Sequence, residues 1–366
     1  MTYFRYFLGS AVLVLITAAG INFIVDPANI YREGRVTPAS YIEALVQSKH
    51  GLYSKEGMFD ERLLAKAAAS RSFNADCIVI GSSHVMQISS ERKSKALQGT
   101  CISLLNLGVS GGAIEDHFTL TYLALQKRQN GRPTKVILGV DPWTFAFRKD
   151  ERWSVYRDDY LEAKAEILDT GKISEPGLVD AVINETNKKK LANLINMEYT
   201  IRSVKTIVRE FSGVNLTIET APEIYPSIGG DYPIRLRDNS YVYSAKYISD
   251  AMRGVVAIGG TTYATDGMLN QPEAINAYRD LLLYIKSRGV EPILLMTPYH
   301  ENVLKAPKSL NALAIKATEP IVLNLAHKLG IKVIGTFDPQ MFGCLSNEFY
   351  DFMHPTAECL AKLQAR

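Results

Sequence analysis

The stretch Ile78-Val79-Ile80-Gly81-Ser82-Ser83-His84 decides the fold prediction for this chain. It is β-branched as far as Ile80 and then breaks at Gly81 into small residues, which predicts a buried strand followed by a tight turn. In α/β proteins the ligand crevice lies beyond the carboxyl ends of the parallel strands. We therefore expect the hydroxyl of Ser83 to lie at that edge of a sheet.

The rest of the chain repeats this alternation of strand and helix. Short apolar runs predict strands at residues 77–80, 102–105, 135–140, 292–296 and 332–334. Helical periodicity predicts helices at residues 116–127, 272–286 and 319–329, and from residue 356 onward. Such alternation is typical of right-handed βαβ units. The sequence therefore predicts an α/β fold with a flavodoxin-like, parallel five-stranded sheet.

The breaks in this pattern divide the chain into five segments. They are residues 1–25, an apolar helix; 26–75, a connector with the first helices; 76–147, the first half of the sheet domain; 148–266, an insertion; and 267–366, the second half. Within the insertion, apolar and polar residues alternate on either side of Asp238-Asn239-Ser240, which predicts a β-hairpin.

The N-terminal segment is apolar enough to interact with a membrane. The twenty residues from Tyr6 to Val25 contain no charge, and as a helix they would match the hydrocarbon core of a bilayer. We expect a single-pass anchor in the inner membrane with the remaining chain on the periplasmic, extracytoplasmic side. The alternative is a cleaved secretory signal, since Thr17-Ala18-Ala19 would serve as a cleavage site.

Net charge and the spacing of the cysteines argue against nucleic-acid and metal partners, and they leave the pairing of the cysteines undecided. The net charge is only +3 and the basic residues are scattered, so we expect no nucleic-acid partner. The four cysteines fit no zinc spacing, and no metal site is expected. Cys77 and Cys101 lie in strand-like runs and are expected to be buried apolar residues. Cys344 and Cys359 bracket a loop that a disulfide would pin in an oxidising compartment.

That loop contains Asp351-Phe352-Met353-His354-Pro355, which supplies a base for Ser83. A serine hydroxyl needs a neighbouring base to become a good nucleophile, and His354 can be that base. Asp351 can hold the other ring nitrogen and so fix the tautomer. We predict a catalytic group of Ser83, Asp351 and His354 that needs no cofactor.

These motifs resemble those of the SGNH hydrolase superfamily, which is also known by its Gly-Asp-Ser-Leu motif. The resemblance implies that Ser83 is the nucleophile, with Ser82 where the family usually has Asp. It also implies that the amides of Ser83 and Gly108 form the oxyanion hole, and that Asp351 and His354 match the final Asp-x-x-His motif.

The third motif departs from the family pattern. The family has Gly-x-Asn-Asp after strand three, and the Asn side chain donates to the oxyanion; this chain has Gly139-Val140-Asp141-Pro142. An ionised Asp141 cannot donate a hydrogen bond to the oxyanion. Its side chain is therefore turned away from the oxyanion, protonated, or serving another role. Asp141, Trp143 and His300 are candidate substrate contacts; the alternative for Trp143 is packing against the sheet edge, and the alternative for His300 is a loop position without a chemical role. His84 is not expected to be the base.

The departure at Asp141, the Gly-Ser-Ser turn and the apolar N-terminus together make the chain similar to the membrane-anchored SGNH branch, which includes alginate O-acetylation proteins and proteins of teichoic acid D-alanylation. This resemblance implies acyl transfer to a cell-surface polysaccharide, with a multi-spanning membrane-bound O-acyltransferase as partner. Two alternatives stay open. One is an esterase or deacetylase that releases the acyl group to water, and the other is a catalytically silent glycan-binding or scaffolding adaptor.

Overall fold

The computed structural model defines an α/β protein built around a parallel five-stranded sheet. It describes residues 2–26, 37–54, 59–71, 75–92, 96–126, 133–147, 152–168, 194–211, 220–221, 230, 232–255, 270–305 and 310–364.

The elements follow one another in the order strand, helix, strand over most of the sheet domain. The strands are β1 Leu52–Tyr53, β2 Cys77–Ile80, β3 Leu104–Asn106, β4 Lys135–Gly139, β5 Ile234–Arg235, β6 Tyr241–Val242, β7 Glu291–Met296 and β8 Lys332–Gly335. The α-helices are α1 Thr2–Val25, α2 Pro38–Gln47, α3 Glu61–Ser70, α4 Ile114–Gln126, α5 Arg157–Ile167, α6 Met197–Phe211, α7 Ala245–Val255, α8 Pro272–Ser287, α9 Glu301–Leu304, α10 Leu310–Leu329 and α11 Ala357–Leu360.

The main sheet has the strand order β3-β2-β4-β7-β8, and all of its pairs are parallel. This order is compatible with a flavodoxin-like fold, and it confirms the predicted five-stranded parallel sheet. Every residue of β2 is fully buried because helices cover parallel sheets on both faces. The order reverses beside β2, which is where such sheets form their ligand crevice.

Two predicted boundaries are wrong for local reasons. The second strand of the sheet begins at Leu104 rather than at residue 102, because Asp76 accepts hydrogen bonds from the N–H groups of Ile102 and Ser103. The Asp76 side chain therefore takes both N–H groups, while the carbonyl of Ser103 still accepts from the N–H of Cys77 in β2. The last long helix begins at Leu310 rather than at residue 319 and contains Pro320 in its interior. The helix therefore continues on the N-terminal side of Pro320, although a proline in a helix interior removes one backbone hydrogen bond.

The predicted hairpin is present as β5 and β6, which pair antiparallel. Asn239 at its turn has φ of 62°, a left-handed conformation that asparagine tolerates better than most residues. β1 from the predicted connector joins β5 and makes a small three-stranded sheet, which the sequence did not predict. Residues 148–151, 169–193, 212–219, 222–229, 231 and 256–266 of the predicted insertion lie outside the described residues.

All four cysteines are paired in disulfides. Cys77 is bonded to Cys101, and Cys344 is bonded to Cys359. The expectation that Cys77 and Cys101 are simple buried apolar residues is therefore wrong. The turn that follows Leu97 brings Cys101 back beside β2, because the N–H of Cys101 donates to the carbonyl of Leu97. The sequence did not decide whether Cys344 and Cys359 form a disulfide, and the structure shows that they do.

The chain divides into two compact units, and the larger contains both sheets. The smaller contains the described parts of Met1–Tyr41, Lys55–Asp60 and Lys172–Ile218. Within it, Asn22 of α1 bonds to Thr200 and Ser203 of α6, and the hydroxyl of Tyr199 donates to Asp26.

The transmembrane anchor predicted for residues 1–25 is not confirmed. The segment is helical as α1. Within the part of the chain that the structure describes, no helix is found with the length and apolarity needed to cross a membrane.

Candidate active site

Ser83 lies in a tight turn at the carboxyl end of β2. The N–H groups of Val85 and Met86 donate to the carbonyls of Ser82 and Ser83, at 3.2 and 3.3 Å, and so close the turn. The turn packs closely against its neighbours: a Cβ built on Gly81 would lie 3.2 Å from the backbone of Gly139 in β4. The β-branched strand and the glycine therefore place Ser83 at the predicted edge of the sheet.

His354 and Asp351 lie on a loop held by two antiparallel arms. Phe349 and Pro355 form an isolated bridge, and the N–H of Tyr350 donates to the carbonyl of His354 at 2.9 Å. At the tip, Asp351 Oδ1 accepts hydrogen bonds of 2.7 Å from the N–H groups of Met353 and His354. The side chain of Asp351 thus organises the loop as well as facing the imidazole.

A buried glutamine ties this loop to the turn that carries Ser83. Gln87 Nε2 donates to the carbonyl of Pro355 at 2.9 Å, and its Oε1 accepts a bond of 2.8 Å from the hydroxyl of Tyr350. Both ends of the amide are therefore used. The two motifs are 271 residues apart along the chain, and this glutamine fixes their separation in space.

The structure brings Ser83, His354 and Asp351 into one hydrogen-bonded relay. Ser83 Oγ lies 2.8 Å from His354 Nε2, and His354 Nδ1 lies 2.7 Å from Asp351 Oδ2. Because a carboxylate can only accept, Nδ1 carries the proton that it receives. In the neutral ring Nε2 is then free to accept the proton of the serine hydroxyl, as a general base must.

The charge of Asp351 suits this role. Burial by itself would raise the pKa of its carboxyl group. The hydrogen bond and electrostatic attraction between Asp351 and His354, with the backbone N–H donors, outweigh burial and lower the pKa below its ordinary value. Asp351 is therefore ionised at neutral pH and can stabilise the imidazolium that forms when Ser83 loses its proton.

The predicted oxyanion hole is only partly formed. The N–H of Gly108 donates to Asn106 Oδ1 at 2.8 Å, so that amide already has a partner. Among the described residues, no acceptor is found for the N–H of Ser83. Of the two amides that the sequence assigned to the hole, the structure leaves that of Ser83 available.

Asn106 is a buried residue that the sequence analysis missed. Its Nδ2 donates to the carbonyls of Val85 and Ile88 at 2.7 and 2.9 Å, which fixes the chain just after the nucleophile turn. The only signal in the sequence was a polar residue at the end of an apolar strand. Gln87 and Tyr350 gave no signal, because their roles depend on contacts between distant parts of the chain.

Asp141, where the family pattern has an oxyanion donor, faces a histidine instead. Its Oδ1 lies 2.8 Å from His84 Nδ1, and both side chains are almost fully buried. Burial favours a raised pKa for Asp141, but the charge and hydrogen bond of His84 and a hydrogen bond from Ser82 lower it overall. Of the three readings that the sequence left open for Asp141, a carboxylate paired away from the nucleophile fits best.

Trp143 and His300, the other candidate substrate contacts, are both buried. Trp143 Nε1 donates to the carbonyl of Gly112 at 3.0 Å. His300 Nδ1 accepts a hydrogen bond from the backbone N–H of Asn302 and so caps α9. The backbone N–H of His300 donates to the carbonyl of Phe352. In this arrangement Trp143 supports the wall of the site and His300 supports the Asp-x-x-His loop.

The described residues contain no group of three or more His, Cys, Asp or Glu side chains arranged to hold a metal ion. No family model matches the chain, and no curated protein matches it either. The fold and the geometry of the site therefore carry the functional argument. They define an α/β protein with a Ser–His–Asp relay at the carboxyl edge of its parallel sheet.

Proposed function

We propose that this chain is an extracytoplasmic serine O-acyltransferase of the SGNH type, which acts on a cell-surface polysaccharide through an acyl-serine intermediate. The observation that carries the proposal is the continuous hydrogen-bonded path from Ser83 through His354 to Asp351. A serine hydroxyl is a weak nucleophile alone, and an adjacent base that is itself oriented by a carboxylate activates it.

The reaction follows from the placement of the protons. His354 Nε2 takes the proton of Ser83 as Oγ attacks the acyl carbonyl, and the N–H of Ser83 donates to the oxyanion. His354 then returns the proton to the leaving group, which leaves an acyl group on Ser83. A sugar hydroxyl, deprotonated by His354, resolves the acyl-serine.

An esterase is the second candidate, and solvent access favours it. Ser83 is only half-buried, and the side chains of His354 and Asp351 keep 13% and 16% of their surface exposed. Water can therefore reach the acyl-serine in place of a sugar hydroxyl. Both candidates use the same first half-reaction.

The proposed site of action is the periplasmic side of the inner membrane, with a membrane protein as acyl donor. The two disulfides support an oxidising, extracytoplasmic compartment, because cytosolic thiols are kept reduced. The exposed apolar side chains of α1, among them Leu13, Val14 and Ile16, support attachment to the inner membrane with the sheet domain in the periplasm. A multi-spanning membrane-bound O-acyltransferase as acyl donor rests on the resemblance to the membrane-anchored branch, and that resemblance is one of architecture more than of motif.

A fluorophosphonate probe tests the shared half-reaction. We expect the intact protein to be labelled and the Ser83→Ala variant to remain unlabelled. The variant Ser90→Ala is a matched control, since Ser90 lies in the same part of the chain but bonds to Asp238. Labelling that survives in Ser83→Ala would contradict the proposal, and an unlabelled wild-type protein would favour the silent adaptor.

The acyl content of the surface polysaccharide then separates transferase from esterase. Cells that lack the protein are complemented with the wild type or with Ser83→Ala, and the ester content of the isolated polymer is measured. A transferase predicts fewer esters with Ser83→Ala than with the wild type. More esters would identify the esterase.

A further inference from the structure

The turn of the β5–β6 hairpin lies against the outer edge of strand β3. β3 is the last strand on its side of the five-stranded sheet, so the backbone groups on its outer edge have no partner strand in that sheet. At Asn106, the last residue of β3, the hairpin supplies the partners instead. The N–H of Asn106 donates to the carbonyl of Asp238 at 2.8 Å, and Nδ2 of Asn239 donates to the carbonyl of Asn106 at 2.7 Å.

Asn239 is held firmly in the hairpin turn. It is only 2% exposed, and its φ of 62° lies in the left-handed region that asparagine and glycine favour. Its N–H donates to the carbonyl of Leu236, and the N–H of Leu236 donates to the carbonyl of Ser240, which closes the turn. Its Oδ1 accepts a bond of 3.3 Å from the guanidinium of Arg235. The Nδ2 group is the part of the side chain that bonds outside the hairpin.

Asn106 connects the hairpin to the nucleophile turn. Its Nδ2 holds the carbonyls of Val85 and Ile88, and its Oδ1 accepts from the N–H of Gly108. Every hydrogen-bonding group of Asn106 is therefore used, the backbone by the hairpin and the side chain by the two loops beside Ser83. If Asn106 moves outward, it must move these loops with it or break their bonds.

A second bond from the hairpin reaches the nucleophile turn directly. The N–H of Tyr241 in β6 donates to the carbonyl of Met86 at 2.7 Å, and the N–H of Met86 donates to the carbonyl of Ser83 at 3.3 Å. Asn106 and Asn239 are 133 residues apart along the chain. Hydrogen bonds, rather than a short connection, therefore join the hairpin to the residues that hold Ser83.

We propose that Asn239 is a positioning residue for catalysis, which holds Asn106 and so keeps Ser83 Oγ in line with His354 Nε2. This inference rests on the proposed acyl-serine chemistry and adds to it a residue of the insertion. The two reacting groups are 2.8 Å apart, and a hydrogen bond weakens steeply when it is bent. A displacement of about 1 Å caused by a distant substitution can cost about a hundredfold in rate.

Two variants of Asn239 remove the donor and keep a residue that suits the turn. Asn239→Gly adopts a positive φ without strain and has no side chain. Asn239→Asp tolerates the same backbone conformation and keeps an oxygen for Arg235, but it cannot donate to Asn106. Ser240→Ala is the matched control, because the buried hydroxyl of Ser240 donates to Asp238 Oδ1 inside the same turn. We would measure kcat and KM for p-nitrophenyl acetate, together with thermal melting, for the three variants and the wild type.

We expect both Asn239 variants to lose about tenfold to a hundredfold in kcat with KM little changed. Ser240→Ala should melt lower than the wild type, since it loses a buried hydrogen bond, and yet keep the wild-type kcat. A folded Asn239 variant with the wild-type kcat, or an equal loss of kcat in Ser240→Ala, would overturn the inference and leave the proposed function standing. Failure of both Asn239 variants to fold would assign Asn239 to folding and would overturn it as well. A wild-type protein that forms no acyl-serine would overturn the proposed function together with this inference.

Discussion

Gly112 is the residue whose replacement should disturb the nucleophile turn most directly without touching the relay. A Cβ built on Gly112 would lie 2.6 Å from the carbonyl oxygen of Gly81 and 3.2 Å from the Cα of Ser82. Both are backbone atoms of the turn, so the methyl group of Gly112→Ala must push the turn away from its place. We expect a loss of about 1–3 kcal/mol in the free energy of unfolding and a fall in the rate of serine labelling.

Gly230 offers the matched control for this variant. A Cβ built there meets no atom within 4 Å. Gly230→Ala should therefore match the wild type both in urea unfolding and in labelling by the fluorophosphonate probe. If Gly112→Ala matched the wild type in urea unfolding and in labelling, as Gly230→Ala should, the close contact between Gly112 and the turn would not be needed for stability or for the reactivity of Ser83.

Asp351 should contribute to catalysis through its charge as well as to the shape of its loop. In Asp351→Asn, Oδ1 can still accept from the two N–H groups of the loop, so the loop should keep its shape. The amide nitrogen then faces His354 Nδ1 and donates to it, which moves the ring proton to Nε2. Because Nε2 can no longer accept from Ser83, we expect kcat to fall by roughly 10⁴-fold with little change in melting temperature.

The measurement for Asp351→Asn is ester hydrolysis over a range of pH, with urea unfolding as the control for folding. A variant that folds and keeps its rate would show that Asp351 organises the loop and has no part in catalysis. A variant that fails to fold would show that the loop needs the carboxylate itself.

At the scale of single elements, the disulfide between Cys344 and Cys359 should stabilise the Asp-x-x-His loop. The two cysteines are separated by 15 residues, and that segment contains both Asp351 and His354. In the chain-entropy model a loop of this length contributes about 3 kcal/mol. We expect Cys344→Ala with Cys359→Ala to lose about that much in the free energy of unfolding, measured in urea.

The pair Cys77→Ala with Cys101→Ala is the comparison for the loop. It removes the other disulfide, which joins β2 to the segment before β3 and closes a loop that contains Ser83 but neither Asp351 nor His354. Ser83 is also held by β2 itself, which pairs with β3 and β4. We expect both double variants to be less stable, but only the pair at residues 344 and 359 to slow the labelling of Ser83. Equal labelling rates in the two would mean that hydrogen bonds alone, such as those of Gln87, hold the loop.

The strands and helices were predicted best where the sequence pattern that defines them lies within the element itself. The β-branched run at residues 77–80 is strand β2 with the same bounds, because a buried parallel strand needs continuous apolar sequence. The pairing of Leu52–Tyr53 with the hairpin could not be predicted, since two residues carry no periodicity and their partner lies far along the chain. The sequence likewise supplied Ser83, Asp351 and His354 as motifs but gave no sign that Asp141 faces His84.

At the scale of the whole molecule, the N-terminal helix α1 should decide where the protein resides. Leu13 and Ile16 are about two-thirds exposed, at 65% and 63%, and lie one helical turn apart. Charged residues at these positions would be costly in contact with lipid. We expect Leu13→Arg with Ile16→Arg to move the protein from the membrane fraction to the carbonate-released fraction of fractionated cells.

The control for this shift places the same charges on the sheet domain. Leu283 of α8 and Leu313 of α10 are also exposed, at 44% and 53%. Leu283→Arg with Leu313→Arg adds an equal positive charge, so it should leave the protein in the membrane fraction if α1 alone provides attachment. A wild-type protein found in the carbonate-released fraction would contradict membrane attachment. It would leave the chemistry of Ser83 untouched, because the relay lies wholly within the larger unit of the chain.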